Sequence, residues 1–387
     1  MIKTIISKEN SIISKSRILR PEHFKKNVGI DSSIDSSIDS KNFDIVENNV
    51  IKYIGQSGTS GYASAAKGYI ADYLLRDVPI NWSPLHFDDS KNDLTYYVDA
   101  LAESAIAKKY NKFNKLIMHS TPDLWGRFID DHPNIPNISG YCTWETNKLP
   151  ERWVSCINLA PVVMVPSYFN KECFINSGVK SKIEVVPHIW HYQKLLDKGG
   201  ITIKDNFKNI IPKDKYSFYS IGELNFRKGI EDLVTVFDKF NNKFPDTQLI
   251  LKLHYKDYQE NNKKYCIEKL KLLTDKIGSK IFLLLENLSN KEILALHSFC
   301  DCYVSLNKGE GFGLTIFDAF NFGKKVITTG YGGQIDFLGK EYSGLVKYKI
   351  DKVSGMDLFS TNYSSDQEWA YPDLEYAYNL MIKTYEN

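Results

Sequence analysis

Residues Lys308 to Gly333 read K-G-E-G-F-G-L-T-I-F-D-A-F-N-F-G-K-K-V-I-T-T-G-Y-G-G. One carboxylate, Glu310, precedes a glycine loop, and a second, Asp318, follows eight positions later. Gly311 and Gly313 let the main chain approach an anion, and the amides of Phe312, Leu314 and Thr315 are placed to hold phosphate at a helix start. Glu310 can accept hydrogen bonds from sugar hydroxyls, and Asp318, two turns along the following helix, can reach a ribose. A strand, turn and helix that simply pack together would use the same glycines. The two acids are what that alternative leaves unexplained.

Outward from this stretch, strand and helix signals alternate. Val50 to Ile54 is a short apolar run that enters the glycine-rich G-Q-S-G-T-S-G-Y-A, and Tyr62, Ala66, Tyr69, Ile70, Tyr73 and Leu74 then recur at helical spacing. Lys115 to Met118, Val162 to Val165 and Ile183 to Val186 are further buried-strand candidates, with a helical pattern over Asp93 to Lys109. A second series follows at Tyr216 to Ile221, Gln248 to Leu253, Ile281 to Leu285, Cys302 to Leu306 and Lys325 to Thr328. The pattern predicts an α/β protein of two doubly wound domains facing a cleft at the carboxyl ends of their strands. The expected division is a polar extension at 1–45 containing the repeat I-D-S-S-I-D-S-S-I-D-S, a first domain at 46–195, a linker at 196–215, a second domain at 216–365 and a tail at 366–387.

The Lys308 to Gly333 stretch resembles the glutamate-seven-glutamate signature of retaining GT-B glycosyltransferases, in particular glycosyltransferase family 4, with Asp318 in place of the second glutamate. L-S-N-K-E-I-L-A-L-H-S-F-C-D-C-Y-V-S-L (Leu288 to Leu306), I-G-E-L-N-F-R-K-G-I-E-D-L-V (Ile221 to Val234), Y-C-T-W-E-T-N-K-L-P-E-R-W (Tyr141 to Trp153), V-P-S-Y-F-N-K-E-C-F-I-N-S-G-V and I-E-V-V-P-H extend the resemblance in matching order. It implies a GT-B fold, a UDP- or GDP-sugar donor with no cofactor, a glycan or lipid-linked acceptor, and a C-terminal helix that crosses back onto the first domain. It also implies transfer with retention of configuration, in surface polysaccharide or glycoconjugate synthesis.

The same resemblance assigns site residues. Arg227 and Lys228, after a strand and before Gly229, would neutralise the departing diphosphate. As mere solvated charges they would sit badly beside the positive end of a helix dipole. The family pattern has an arginine near the place where this chain has Glu223, so the two basic roles fall on Arg227 and Lys228 or are shared differently. Many family members carry a histidine at the end of a first-domain strand; here Glu145 stands near that place and His119 is the nearest histidine, and both remain candidates to bind the sugar or orient the acceptor. The loop Gly58, Thr59, Ser60, Gly61 could present amides to phosphate or acceptor, and Leu288 belongs to the donor side.

Bulk properties exclude several alternatives. The 387 residues suffice for two ordinary cores, and a formal charge of +2 with both signs interspersed lacks the basic stripe of a nucleic-acid binder. The six cysteines show no zinc-ligand spacing and read as reduced thiols. No strand-end D-x-D points to an essential metal. Met1 to Asn10 has no sustained apolar run, and no segment reaches the ~18 to 20 apolar residues of a membrane span. The expected location is cytoplasmic, with peripheral contact to the inner face of a membrane compatible with basic aromatic stretches such as Lys108 to Lys115. The competing readings are a non-catalytic GT-B scaffold or sugar-nucleotide binder, and a GT-B epimerase or phosphorylase.

Overall fold

A computed structural model describes residues 17–18, 49–86, 97–190, 192, 211–212, 214–254, 264–266, 268–269, 280–285, 288–356 and 360–387. Most of the expected extension and linker, and the first residues of the helical pattern at Asp93, lie outside these. In chain order the elements are β1 (Arg17–Ile18), β2 (Ile51–Gln56), α1 (Gly61–Leu75), β3 (Ile80–Leu85), α2 (Tyr97–Ser104), β4 (Lys115–His119), α3 (Trp125–Asp130), β5 (Asn137–Tyr141), α4 (Glu151–Ile157), β6 (Val162–Val165), α5 (Tyr168–Asn176) and β7 (Lys182–Val185). The second series is β8 (Tyr216–Glu223), α6 (Ile230–Lys243), β9 (Thr247–His254), β10 (Ile281–Leu284), α7 (Asn290–Phe299), β11 (Cys302–Ser305), α8 (Leu314–Asn321), β12 (Lys325–Thr329), α9 (Ile335–Leu338), β13 (Leu345–Val346), β14 (Tyr348–Lys352), β15 (Glu368–Pro372) and α10 (Leu374–Glu386).

Two parallel sheets result, ordered β3-β2-β4-β5-β6-β7 and β1-β10-β9-β8-β11-β12-β13, while β14 and β15 form a separate antiparallel pair. Chain order departs from spatial order at β2 and at β8, the strand-order reversals beside which doubly wound sheets bind ligands. Among the strands that the sequence pattern does not announce, two belong to the first sheet. β3 contains Pro84, which a sheet edge tolerates because a missing N–H there breaks no ladder bond. β5 contains Gly140, where a Cβ would lie 2.0 Å from the Trp125 ring, so the glycine is what lets that buried indole pack on the sheet.

Each sheet is covered on both faces. In the second domain, Ile230, Leu233, Val234, Phe237 and Phe240 form the apolar stripe of α6 on one face, and Leu294, Leu296, Ile316 and Ala319 bring α7 and α8 to the other. Helix α7 starts at a complete capping box between Ser289 and Glu292.

Three expectations need correction. Arg17–Ile18 pairs with β10, so the N-terminal extension is not wholly outside the sheet. The helix expected over Asp93 to Lys109 ends at Ser104. The C-terminal helix α10 does not cross to the first domain: Ala377, Leu380 and Met381 bury against the α6 face of the second, which would otherwise leave apolar surface uncovered. The segment just upstream makes the crossing instead, through Arg152 to Asn362 at 2.5 Å, Asn147 to Glu368 at 3.0 Å and the Lys148–Asp366 ion pair. No helix among the described residues is long and apolar enough to cross a membrane.

Candidate active site

The site is built on two turns at the carboxyl ends of β8 and β11. After β8, the Asn225 side chain accepts from the Lys228 N–H at 3.1 Å and closes a short helical turn over Phe226–Lys228. Gly229 ends it at φ 64°, and a Cβ there would lie 1.9 Å from the Leu306 carbonyl oxygen. Only glycine permits that approach, which joins this turn to the loop after β11. The join is sealed by the Lys308 N–H donating to the Arg227 carbonyl at 2.7 Å.

Arg227 is turned inward. Its side chain donates to the Gly309 carbonyl at 2.7 Å and lies 3.4 Å from Glu310 and 3.6 Å from Glu145 of the first domain. Burial alone would lower its pKa, but Glu145, Tyr363 and Glu310 outweigh that and hold it fixed as a cation. Lys228 pairs directly with the other Glu310 oxygen. Burial would push Glu310 up; Lys228 and Arg227 together reverse this and hold its carboxyl below the usual range. Glu310 is therefore an ionised acid, 8 % exposed, between two cations.

The first domain touches this loop directly at two glycines. A Cβ on Gly309 would lie 2.0 Å from the Glu145 carbonyl oxygen, and one on Gly311 would lie 1.9 Å from Thr143 Oγ1. Ser167 Oγ and Asn170 Nδ2 both donate to the Gly311 carbonyl, at 2.6 and 3.2 Å. Gly61, at the start of α1, faces Leu314, and Ser60 caps that helix by accepting from the Ala63 N–H at 3.1 Å. Two buried polar atoms here, Thr143 Oγ1 and Arg227 Nε, have no hydrogen-bond partner among the described residues.

Of the residues singled out in the sequence, Glu145, Arg227, Lys228 and Glu310 converge, with Gly311, Phe312, Gly313, Leu314 and Thr315 continuing the loop into α8 and Gly61 opposite. His119 lies deeper in the first domain, bonded to the Tyr53 hydroxyl at 2.6 Å and packed on Tyr141, and burial with His188 nearby holds it neutral. His188 contacts Phe312 edge-on at 4.7 Å, so it stands between His119 and the loop. Asp318 sits on the α8 face toward Tyr219, with no ion-pair or hydrogen-bond partner among the described residues, and burial pushes its carboxyl up to about 8. Leu288 packs beneath the start of α7. Sequence reasoning missed Tyr363, which donates to Glu145 at 3.0 Å and stacks on Trp144, together with Thr143, Ser167 and Asn170. Ser167 had a signal as the cap before α5; Tyr363 had none.

A cleft between two Rossmann-like domains, with its charged residues at the strand ends of the second, defines the GT-B fold class. Residues 202–352 match the family model described as glycosyl transferases group 1. An uncharacterized glycosyltransferase of Methanocaldococcus jannaschii is 27 % identical over 253 residues, and the match covers 58 % of this chain and 59 % of that protein. The chain thus spans less than two thirds of this curated relative's length. Among solved structures, sucrose-phosphate synthase from Thermosynechococcus elongatus superposes with a TM-score of 0.59 at 15 % identity, covering 88 % of this chain and 90 % of that one. Anabaena HepE, solved with UDP and glucose, gives 0.52 at 15 % identity over 74 % and 82 % of the two chains. At such identities these structures establish the fold.

Proposed function

We propose that the protein is a retaining, metal-independent glycosyltransferase of the family 4 type, moving a sugar from a UDP- or GDP-sugar to a hydroxyl of a glycan or lipid-linked acceptor. The observation that carries this reading is the ionised, buried Glu310 between Lys228 and Arg227 at the mouth of the β11–α8 loop. A solvated loop acid has no need of two cations, whereas a site for sugar hydroxyls beside a diphosphate uses both charges. The fold shared with HepE, which was solved with UDP and glucose, supports a nucleotide-sugar donor.

The second domain holds the donor and the first presents the acceptor. The diphosphate lies at the Gly313–Thr315 amides and draws Lys228 from Glu310, freeing that carboxylate for sugar hydroxyls. Arg227 is a positioning residue: its bond to the Gly309 carbonyl and its pairing with Glu145 fix the loop against the first domain. The sugar C1–O bond to the diphosphate breaks as the acceptor oxygen bonds C1 on the same face, and the acceptor proton passes to the departing phosphate oxygen. Glu145, held by Arg227 and Tyr363, borders the sugar, and neutral His119 supports the wall behind it. The protein works in the cytoplasm or at the inner face of a membrane, in glycoconjugate or surface polysaccharide synthesis.

The test is donor turnover with UDP- and GDP-sugars in EDTA, comparing wild type with Glu310→Gln. We expect slow release of the sugar by the wild type, product of unchanged anomeric configuration once an acceptor is supplied, and a loss of about 100-fold or more in turnover with nucleotide binding retained in the variant. An inverted product sinks the retaining mechanism. Full activity in Glu310→Gln sinks the site assignment, and acceptor-independent epimerisation would favour the epimerase reading.

A further inference from the structure

Lys252 is a buried lysine that the proposed mechanism does not use. It is 6 % exposed, and among the described residues its ammonium makes one hydrogen bond, to the adjacent Leu253 carbonyl at 3.2 Å. No carboxylate pairs with it among the described residues, and burial lowers its pKa to about 8. An unpaired buried ammonium is costly, so its retention calls for a partner that arrives later.

Its place in the sheet says which part of a ligand that partner is. Lys252 lies two residues from the carboxyl end of β9, beside Ile221 of β8 and Leu284 of β10. Strand alternation puts it on the same face as Ile250, the face covered by α7 and α8, where Asp318 is also unpaired. The strands run β10-β9-β8-β11, with Glu310 following β11 and Lys228 following β8. A donor with its sugar at Glu310 and its diphosphate at Lys228 therefore lays its nucleoside over β9 and β10.

We infer that Lys252 reads the nucleobase of the donor, donating to O4 of uracil or O6 of guanine, the position that carries an amino group in cytosine and adenine, and so selecting uracil over cytosine and guanine over adenine. An ammonium has three donors and no acceptor, so it cannot satisfy an exocyclic amino group in the same position. This inference rests on the nucleotide-sugar reading above.

Binding of free UDP, CDP, GDP and ADP to wild type, Lys252→Met and Lys252→Gln, by calorimetry, separates the possibilities. Comparing UDP with CDP and GDP with ADP keeps ring size constant. Wild type is expected to favour the keto member of each pair by about tenfold to 100-fold. Lys252→Met should lose most of that preference through weaker UDP and GDP binding, and Lys252→Gln, whose amide both donates and accepts, should narrow it by accepting CDP and ADP. Methionine keeps an unbranched apolar stem one atom shorter and removes the charge together with its three donors, and a melting curve for each variant confirms folding. An unchanged ratio in both variants, an equal weakening of all four nucleotides, or a wild type without keto preference overturns the inference while the nucleotide reading stands. A wild type that binds none of the four overturns both.

Discussion

Replacing Arg227 by methionine tests whether the two domains are joined through a buried charge cluster. The guanidinium bonds the Gly309 carbonyl at 2.7 Å and lies within 3.4 and 3.6 Å of Glu310 and Glu145. Methionine fills a similar volume but strands a carbonyl and two carboxylates. Removing one member of a buried ion pair costs about 3 to 5 kcal/mol, because the remaining charge stays out of water without compensation. Here Glu310 keeps Lys228 and Glu145 keeps the Tyr363 hydroxyl, so the lower end, about 3 kcal/mol, is expected. Urea unfolding followed by tryptophan fluorescence at pH 7 reads the loss. The control is Arg227→Met combined with Glu145→Gln: neutralising the stranded acid should restore at least about 1 kcal/mol, a coupling of the size seen between residues in one network. A loss below about 0.5 kcal/mol in the single variant, or strict additivity in the double, would refute the account of Arg227 as the cluster's centre.

Two further predictions concern pH and backbone. Burial raises the Asp318 carboxyl to about 8, above its ordinary value near 4, so between these limits the folded chain holds a proton that the unfolded chain has lost. Stability from this group is thus lost as pH rises, and Asp318→Asn should match wild type near pH 4 yet have the higher urea midpoint by pH 8; parallel curves across that range would show the carboxyl to be ionised throughout. Gly229→Ala places a methyl 1.9 Å from the Leu306 carbonyl at a left-handed φ of 64°, so a loss of at least about 1 to 2 kcal/mol is expected, with an unchanged melting temperature as the contrary result.

Much of the fold was legible because parallel strands covered on both faces are continuous apolar runs. Val162 to Val165 is such a run, and β6 has those bounds. β3 and β5 escaped because their side chains answer to particular neighbours: Trp82 donates to the Gly55 carbonyl at 3.2 Å, and Gly140 makes way for Trp125. The second-domain half of the site could be read because its parts lie within one strand, loop and helix, where spacing along the chain fixes spacing in space. The first-domain half was read only in part: Glu145 and Gly61 were expected there, whereas Thr143, Ser167, Asn170 and the crossing Tyr363 were not. Glu145 and Tyr363 are 218 positions apart and meet only because the segment before β15 crosses the cleft. No local pattern encodes that meeting.

The cleft's charge explains why the cations cannot be exchanged for one another. Glu145, Glu223 and Glu310 all act on Arg227, and Lys228 is the only other cation paired within this cluster among the described residues. Arg227 bonds a carbonyl while spanning two carboxylates from different domains, which a forked guanidinium can do and a single ammonium cannot. Lys228 holds one carboxylate oxygen through a flexible stem and can be drawn to a diphosphate without unfastening the domains. On the proposed function the adjacent pair divides the work: the arginine keeps the loop in place, and the lysine is the charge that changes partner when a donor arrives.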